Sequence, residues 1–168
     1  MNKVRGFEKV SFEQWDKDNQ VIAESQDAWN SIKLPKRATI HAAGYDIFTI
    51  VDFVLEPTEE VLIPLGIKIY MLGDEFFMIA PRSGMGFKYY ARLANTLGII
   101  DSDYYNNANN EGHCWAKIRN EGNKQMVVRA GDAIAQGIFQ KFLLADGDSL
   151  ENGERRNGGL GSTDSKSE

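Results

Sequence analysis

Apolar and polar positions along the chain fall into short blocks rather than long stripes. Strand-forming residues gather over Tyr45 to Val54, Val61 to Tyr70, Glu75 to Ala80, Cys114 to Arg119, Lys124 to Val128 and Ala133 to Leu144. Turn formers stand between them: Glu56-Pro57, Gly73-Asp74, Asn106-Asn107, Glu121-Gly122-Asn123 and Ala130-Gly131-Asp132. Short strands punctuated in this way predict an all-β sandwich or barrel. Lys124 to Arg129 alternates only in part, as a half-buried strand does.

Two segments break the pattern. Over residues 13–32, Trp15, Ile22 and Trp29 recur every seven residues, Val21 and Ile32 lie nearby, and charges fill the gaps. That period predicts helix. Such a helix could bind a partner, but an amphipathic helix covering the barrel is the simpler reading. From Asp146 onward the chain is rich in glycine, serine and charge, which predicts a flexible C-terminal arm over residues 146–168 following a β domain over 1–145.

Composition narrows the chemistry. The 168 residues suffice for one domain with its own core. A net charge of −5 argues against general nucleic-acid binding, so a phosphate ligand would need a local basic pocket. The one cysteine, Cys114, precludes an internal disulfide and suits a reducing, cytoplasmic setting. Met1 to Gly6 lacks the apolar run of a signal peptide, and no apolar stretch approaches a membrane span. His41, His113 and Cys114 lack zinc-site spacing and read as surface or packing residues.

Four clusters could carry chemistry. Ala43-Gly44-Tyr45-Asp46 sets an acid beside a tight strand entry. Pro81-Arg82-Ser83-Gly84-Met85-Gly86-Phe87-Lys88 joins a cation, a hydroxyl and glycines, a set able to hold phosphate oxygens although it lacks the Gly-Lys-Ser/Thr ending of a Walker A loop. Gly98-Ile99-Ile100-Asp101-Ser102-Asp103-Tyr104 reads as a hairpin with two acids and a tyrosine at its bend, where a shielded carboxylate could take a proton from water. Arg155-Arg156-Asn157-Gly158-Gly159-Leu160-Gly161-Ser162-Thr163-Asp164 could fold over a triphosphate. Each cluster in isolation is equally an ordinary turn or tail.

In this order the clusters resemble the five motifs of the homotrimeric dUTPase family, with Gly131-Asp132-Ala133-Ile134-Ala135-Gln136 in the fourth place. The resemblance runs from about Leu34 to Thr163, and Arg5-Gly6-Phe7 together with Tyr105 to His113 are similar to the Gram-positive bacterial and phage branch. It implies a jelly-roll-like β-barrel with a short helix after motif two. It also implies a homotrimer with active sites between subunits, and an arm that orders over bound nucleotide. The activity implied is dUTP diphosphatase, yielding dUMP and pyrophosphate, which limits uracil in DNA and supplies dUMP for dTTP synthesis.

Roles follow position by position. Asp101 matches the catalytic carboxylate that activates water, and Asp46 an acid reaching Mg²⁺ through water. Arg82, Ser83, Gly84 and Gln136 match phosphate-binding positions. The stretch from Asn95 to Tyr104, including Gly98 and Ile100, would read uracil through its backbone, and Tyr104 would exclude a ribose 2′-hydroxyl. In the arm, either Arg155 or Arg156 would reach the γ-phosphate, alongside Gly161, Ser162 and Thr163. Leu160 stands where motif five commonly carries an aromatic residue. Two alternatives share the fold: a dCTP deaminase, for which Glu111 is the nearby glutamate, and a phage-type member that binds a repressor protein through residues 13–32 or 105–113.

Overall fold

In the computed structural model, which describes residues 3–18 and 26–151, the apolar blocks fold as strands, and two of the longer ones are cut. The chain runs β1 (Gly6–Lys9), α1 (Phe12–Asp18), α2 (Gln26–Ser31), β2 (Tyr45–Phe48), β3 (Phe53–Leu55), β4 (Glu60–Pro64), β5 (Ile67–Tyr70), β6 (Glu75–Pro81), α3 (Ser83–Tyr89), β7 (Ala91–Leu93), β8 (Gly98–Asp101), β9 (Trp115–Asn120), β10 (Met126–Val128) and β11 (Ala133–Lys141). The Tyr45 to Val54 block is interrupted because the Thr49 hydroxyl accepts the Val51 N–H (3.2 Å) and closes a turn. The Val61 to Tyr70 block breaks at Gly66, whose φ of +66° suits glycine. The last block ends at Lys141 rather than Leu144. β1 and β7 lie outside the expected blocks, because strands of four and three residues leave too little alternation to detect.

The all-β expectation holds. Pairing among the described strands is antiparallel and divides into four small sheets, β1-β5, β10-β3, β2-β11-β6-β8 and β4-β9-β7, so hydrogen bonding does not close into a single cylinder. Period-two burial carries the core: Phe77 and Ile79 of β6, Ile67 and Ile69 of β5, Met126 and Val128 of β10 all point inward. One aromatic group binds the β1-β5 and β2-β11-β6-β8 sheets together, with Phe77 and Phe139 rings 4.7 Å apart and Phe7 5.2 Å from Tyr45. No helix among the described residues is long and apolar enough to cross a membrane.

The segment over 13–32 contains two short helices, α1 and α2, with residues 19–25, including Val21 and Ile22, outside the described residues. Among its described residues, Trp15 and Ile32 are buried against the sheets. Trp15 is 1% exposed and Ile32 5%, and a Cβ on Gly66 would come within 2.5 Å of Ile32 Cδ1. Trp29 donates its indole N–H to Val10 O (2.9 Å), which ties α2 to the end of β1. The covering-helix reading is therefore the one realised at Trp15 and Ile32.

Candidate active site

The β2-β11-β6-β8 sheet brings two of the sequence clusters, Ala43 to Asp46 and Pro81 to Lys88, together with the Gly131 to Gln136 segment at one end. Asp46 in β2 lies opposite Gln136 in β11, and Gln136 lies opposite Ala80 in β6. Arg82 follows β6 directly, and its Nε sits 3.1 Å from Asp46 Oδ1. The Gln136 amide donates to Pro81 O (3.4 Å). Asp46 is anchored through its backbone, donating to Lys36 O (2.8 Å) and accepting from Lys36 N (3.3 Å). Gly44 stays small because a Cβ there would stand 2.9 Å from Gln136 Oε1. Past Arg82 the chain enters α3, where Ser83 and Gly84 are exposed. A Cβ on Gly84 would meet nothing within 4 Å, so packing does not require glycine there, whereas close approach of an anion to the backbone would.

Asp101 is at the opposite end of the same sheet. β8 pairs with β6 so that Gly98 faces Ile79 and Asp101 faces Phe76. Arg82 is six positions beyond Phe76, which at ~3.3 Å per strand residue separates the two ends by about 20 Å. Asp101 ends β8 exposed, at the entry to a single 3-10 turn, Ser102–Tyr104. The tight reversal precedes β8 instead of containing Asp101: Thr96 has φ +67°, its N–H donates to Leu93 O (2.9 Å), and Leu97 N–H donates to Asn95 O (2.7 Å). The expected bend at Asp101 is thus a strand exit, because Asn95-Thr96 provides the reversal. Among the described residues β8 has β6 as its one strand neighbour, so the outer edge of Gly98 to Ile100 offers alternate N–H and C=O groups to a ligand.

Tyr104 is 5% exposed and tethered at its tip. Its hydroxyl donates to His113 O (2.9 Å) and accepts from Asn110 Nδ2 (2.8 Å). The Tyr105 to His113 segment behind it is a compact, braced loop. Asn107 Oδ1 accepts from Asn109 N (3.0 Å) and Asn110 N (3.1 Å), while its amide donates to Tyr104 O (2.8 Å). Glu111 accepts from Ser11 N (3.0 Å), Ser11 Oγ (2.5 Å) and Lys68 Nζ (3.1 Å). Burial would raise the Glu111 carboxyl, but these hydrogen bonds outweigh it and hold the group below its ordinary range.

His113 closes the brace. Its Nε2 accepts the Gly66 N–H (3.0 Å), which assigns the ring proton to Nδ1, 2.6 Å from Asp18 Oδ2. Burial lowers its pKa, partly opposed by Asp18, so the ring is neutral and links α1, the β4–β5 turn and the loop. Cys114, beside it, is fully buried, and burial pushes its thiol up to about 12.

Asp46, Arg82, Ser83, Gly84 and Gln136 come together; Asn95, Gly98, Ile100, Asp101 and Tyr104 form a second group; the two groups are apart within the chain. Arg155, Arg156, Leu160, Gly161, Ser162 and Thr163 lie outside the described residues. Asn107 and Asn110 were not singled out as site residues by their sequence, since Asn-rich stretches usually mark plain turns, and His113 was read only as a surface or packing residue.

The model of the family described as dUTPase matches residues 30–164. Deoxyuridine 5'-triphosphate nucleotidohydrolase of Lactococcus lactis subsp. lactis is 40% identical over 161 residues, 96% of this chain and 98% of the relative. The crystal structure of dUTPase from Streptococcus mutans superposes with a TM-score of 0.65 at 38% identity, covering 84% of this chain and 99% of that one. The dUTPase of Staphylococcus bacteriophage 80alpha with dUPNHPP has the same fold, with a TM-score of 0.62 at 19% identity, covering 96% of this chain and 98% of the phage protein.

Proposed function

The chain belongs to the dUTPase family, and from that premise we propose how its residues share the hydrolysis of dUTP to dUMP and pyrophosphate. The observation that carries the proposal is the separation along β6. Asp101 and the pair Asp46–Arg82 stand at opposite ends of one strand, about 20 Å apart at ~3.3 Å per residue, too far to meet on one α-phosphate. On this reading the site forms between subunits, in the homotrimer that the family resemblance implies. Asp101 of one chain works with Arg82 and Ser83 of a neighbour, and the arm carrying Arg155, Arg156, Leu160, Gly161, Ser162 and Thr163 closes over them from another.

The β8 edge reads the base. Uracil presents an acceptor at O4 and a donor at N3, and cytosine reverses both. Backbone groups of Gly98 to Ile100 set for uracil would be left unpaired by cytosine, at roughly 1–3 kcal/mol each once buried. The Tyr104 ring, held at its tip, acts as a fixed wall against a 2′-hydroxyl. Asp101 accepts a proton from the attacking water as its oxygen bonds to the α-phosphorus, and pyrophosphate departs with the broken P–O bond. Arg82, with Gln136 behind it, holds phosphate oxygens. Substrate competes with Asp46 for the Arg82 guanidinium.

The residues present suit a metal that arrives on the triphosphate. Among the described residues no three of His, Cys, Asp or Glu converge as a metal cage, while Asp46 offers one carboxylate, the arrangement Mg²⁺ accepts when phosphates and waters complete its shell. When bound, Mg²⁺ would offset charge on the phosphate oxygens. The deaminase alternative gains no support: Glu111 is pinned by Ser11 and Lys68. For a repressor-binding role, Trp15 and Ile32 are taken up by the core, so a partner would have to use other residues of 13–32 or the 105–113 loop.

Two measurements test this reading. Pyrophosphate release should be fast from dUTP and slow from dCTP, dTTP and UTP, and should fall with EDTA. Mixing refolded Asp101→Asn and Arg82→Ala chains, each inert alone, should restore about a quarter of wild-type activity through hybrid trimers. No recovery on mixing would mean that each chain builds its own site.

A further inference from the structure

The loop from Asn107 to His113 makes more hydrogen bonds than its own closure needs. Asn107 takes the N–H groups of Asn109 and Asn110 and gives its amide to Tyr104 O and Asn110 Oδ1, so the oxygen end of Asn110 shares in closing the turn while its NH₂ end is not needed for it. Asn110 does more than that. Its Oδ1 accepts the Gly112 N–H (3.1 Å), a group that can only donate, so its NH₂ is the end that points to the Tyr104 hydroxyl (2.8 Å). That hydroxyl in turn donates to His113 O (2.9 Å). The residue supplying this carbonyl is itself immobilised, with its ring held between Asp18 of α1 and Gly66 and its N–H given to Asn110 O (2.8 Å).

A phenylalanine would fill the same buried space with no polar atom to satisfy. Two hydrogen bonds at the far tip of the ring fix where that tip sits, and with it the tilt of the ring axis set by the first side-chain torsion. Tilt is the coordinate that decides whether a small added oxygen on the substrate meets a wall or a gap.

We propose that Asn110 is a positioning residue for sugar selectivity, holding the Tyr104 ring, together with the His113 carbonyl, at the tilt that rejects a ribonucleotide. The proposal rests on the reading of Tyr104 as the wall beneath the sugar. It adds that the selectivity is built by a loop that never touches substrate and is anchored on the N-terminal helix through Asp18 and His113.

The test is the ratio of kcat/KM for dUTP to that for UTP. Asn110→Asp keeps the size of the side chain and its acceptor for Gly112, but turns the donor to Tyr104 into a charged acceptor, so the single hydroxyl proton can no longer be given to His113 O while position 110 also bonds the ring tip. A loop-closing role predicts an unchanged ratio; the positioning role predicts a fall of about five-fold, the weight of one ordinary hydrogen bond. Tyr104→Phe, which removes both tip hydrogen bonds, should lower the ratio at least as far, and the double variant no further than Tyr104→Phe. Should Asn110→Asp fail to fold, Tyr104→Phe, which leaves the loop amides intact, carries the comparison. Tyr104→Leu separates the two layers of the argument. If Tyr104→Leu collapses the ratio while Asn110→Asp and Tyr104→Phe preserve it, the brace is refuted and the wall stands. If Tyr104→Leu itself leaves the ratio unchanged, the reading of Tyr104 is wrong and the brace falls with it.

Discussion

The two ends of the β2-β11-β6-β8 sheet are built differently. At the Arg82 end the guanidinium side chain is 41% exposed, Ser83 and Gly84 are open, and one ion pair to Asp46 sets the arrangement. At the Asp101 end the carboxylate is exposed, but what stands behind it is rigid: Tyr104 is 5% exposed, Asn107 7% and His113 0%, joined by hydrogen bonds of 2.8–3.1 Å. Under the proposed function the difference follows from what each end would recognise. A triphosphate carries several equivalent charged oxygens, and a mobile cation can follow them. A base or sugar differs from its analogue by a few atoms, and only groups that cannot move will reject the wrong one.

Breaking each end should have separable consequences. The largest is at Asp101: Asp101→Asn keeps size and loses basicity, so kcat should fall about 10²–10⁴-fold with little change in KM, measured by pyrophosphate release. Next is the foundation of the rigid end. Trp15→Ala opens a cavity beside Ile32 and Gly66 and should cost about 3–5 kcal/mol in denaturant unfolding. Equal stability of wild type and variant would show that α1 does not anchor the loop. Arg82→Ala should lower kcat/KM about 10²-fold, whereas Arg82→Lys should recover part of that, as expected of a cation that grips without a rigid socket.

The smallest effect is the dependence of stability on pH. Unfolded, His113 takes a proton near its ordinary 6.5; folded, burial keeps its pKa lower, so the unfolded chain binds the proton first. The contribution is complete above 6.5 and is lost progressively as pH falls below it. The unfolding midpoint should drop between about pH 7 and about pH 5.5, and His113→Gln should flatten that part of the profile. Identical profiles would place the titration elsewhere.

Much of this was legible in the chain as written. Period-two blocks foretold most of the strands because a strand with one face in the core must alternate, and the family resemblance pointed to Asp46, Arg82 and Gln136, which the structure brings together, and to Asp101, which it sets apart. The short helix after motif two appears as Ser83–Tyr89. Strands of three or four residues, β1 and β7, escaped, since so short a run shows little alternation.

Sequence alone determined the residue types that can do the chemistry and the alternation that folds them into sheets, because both depend on local identity and spacing. Tertiary structure decided three things that spacing cannot encode. It set Asp101 and Arg82 at opposite ends of β6, through the antiparallel register of β8. It turned the apolar residues Trp15 and Ile32 into the core instead of toward a partner. It made an asparagine-rich turn into the support of Tyr104, because a hydrogen bond between Asn110 and a ring tip depends on where the loop folds back, a matter of three-dimensional register.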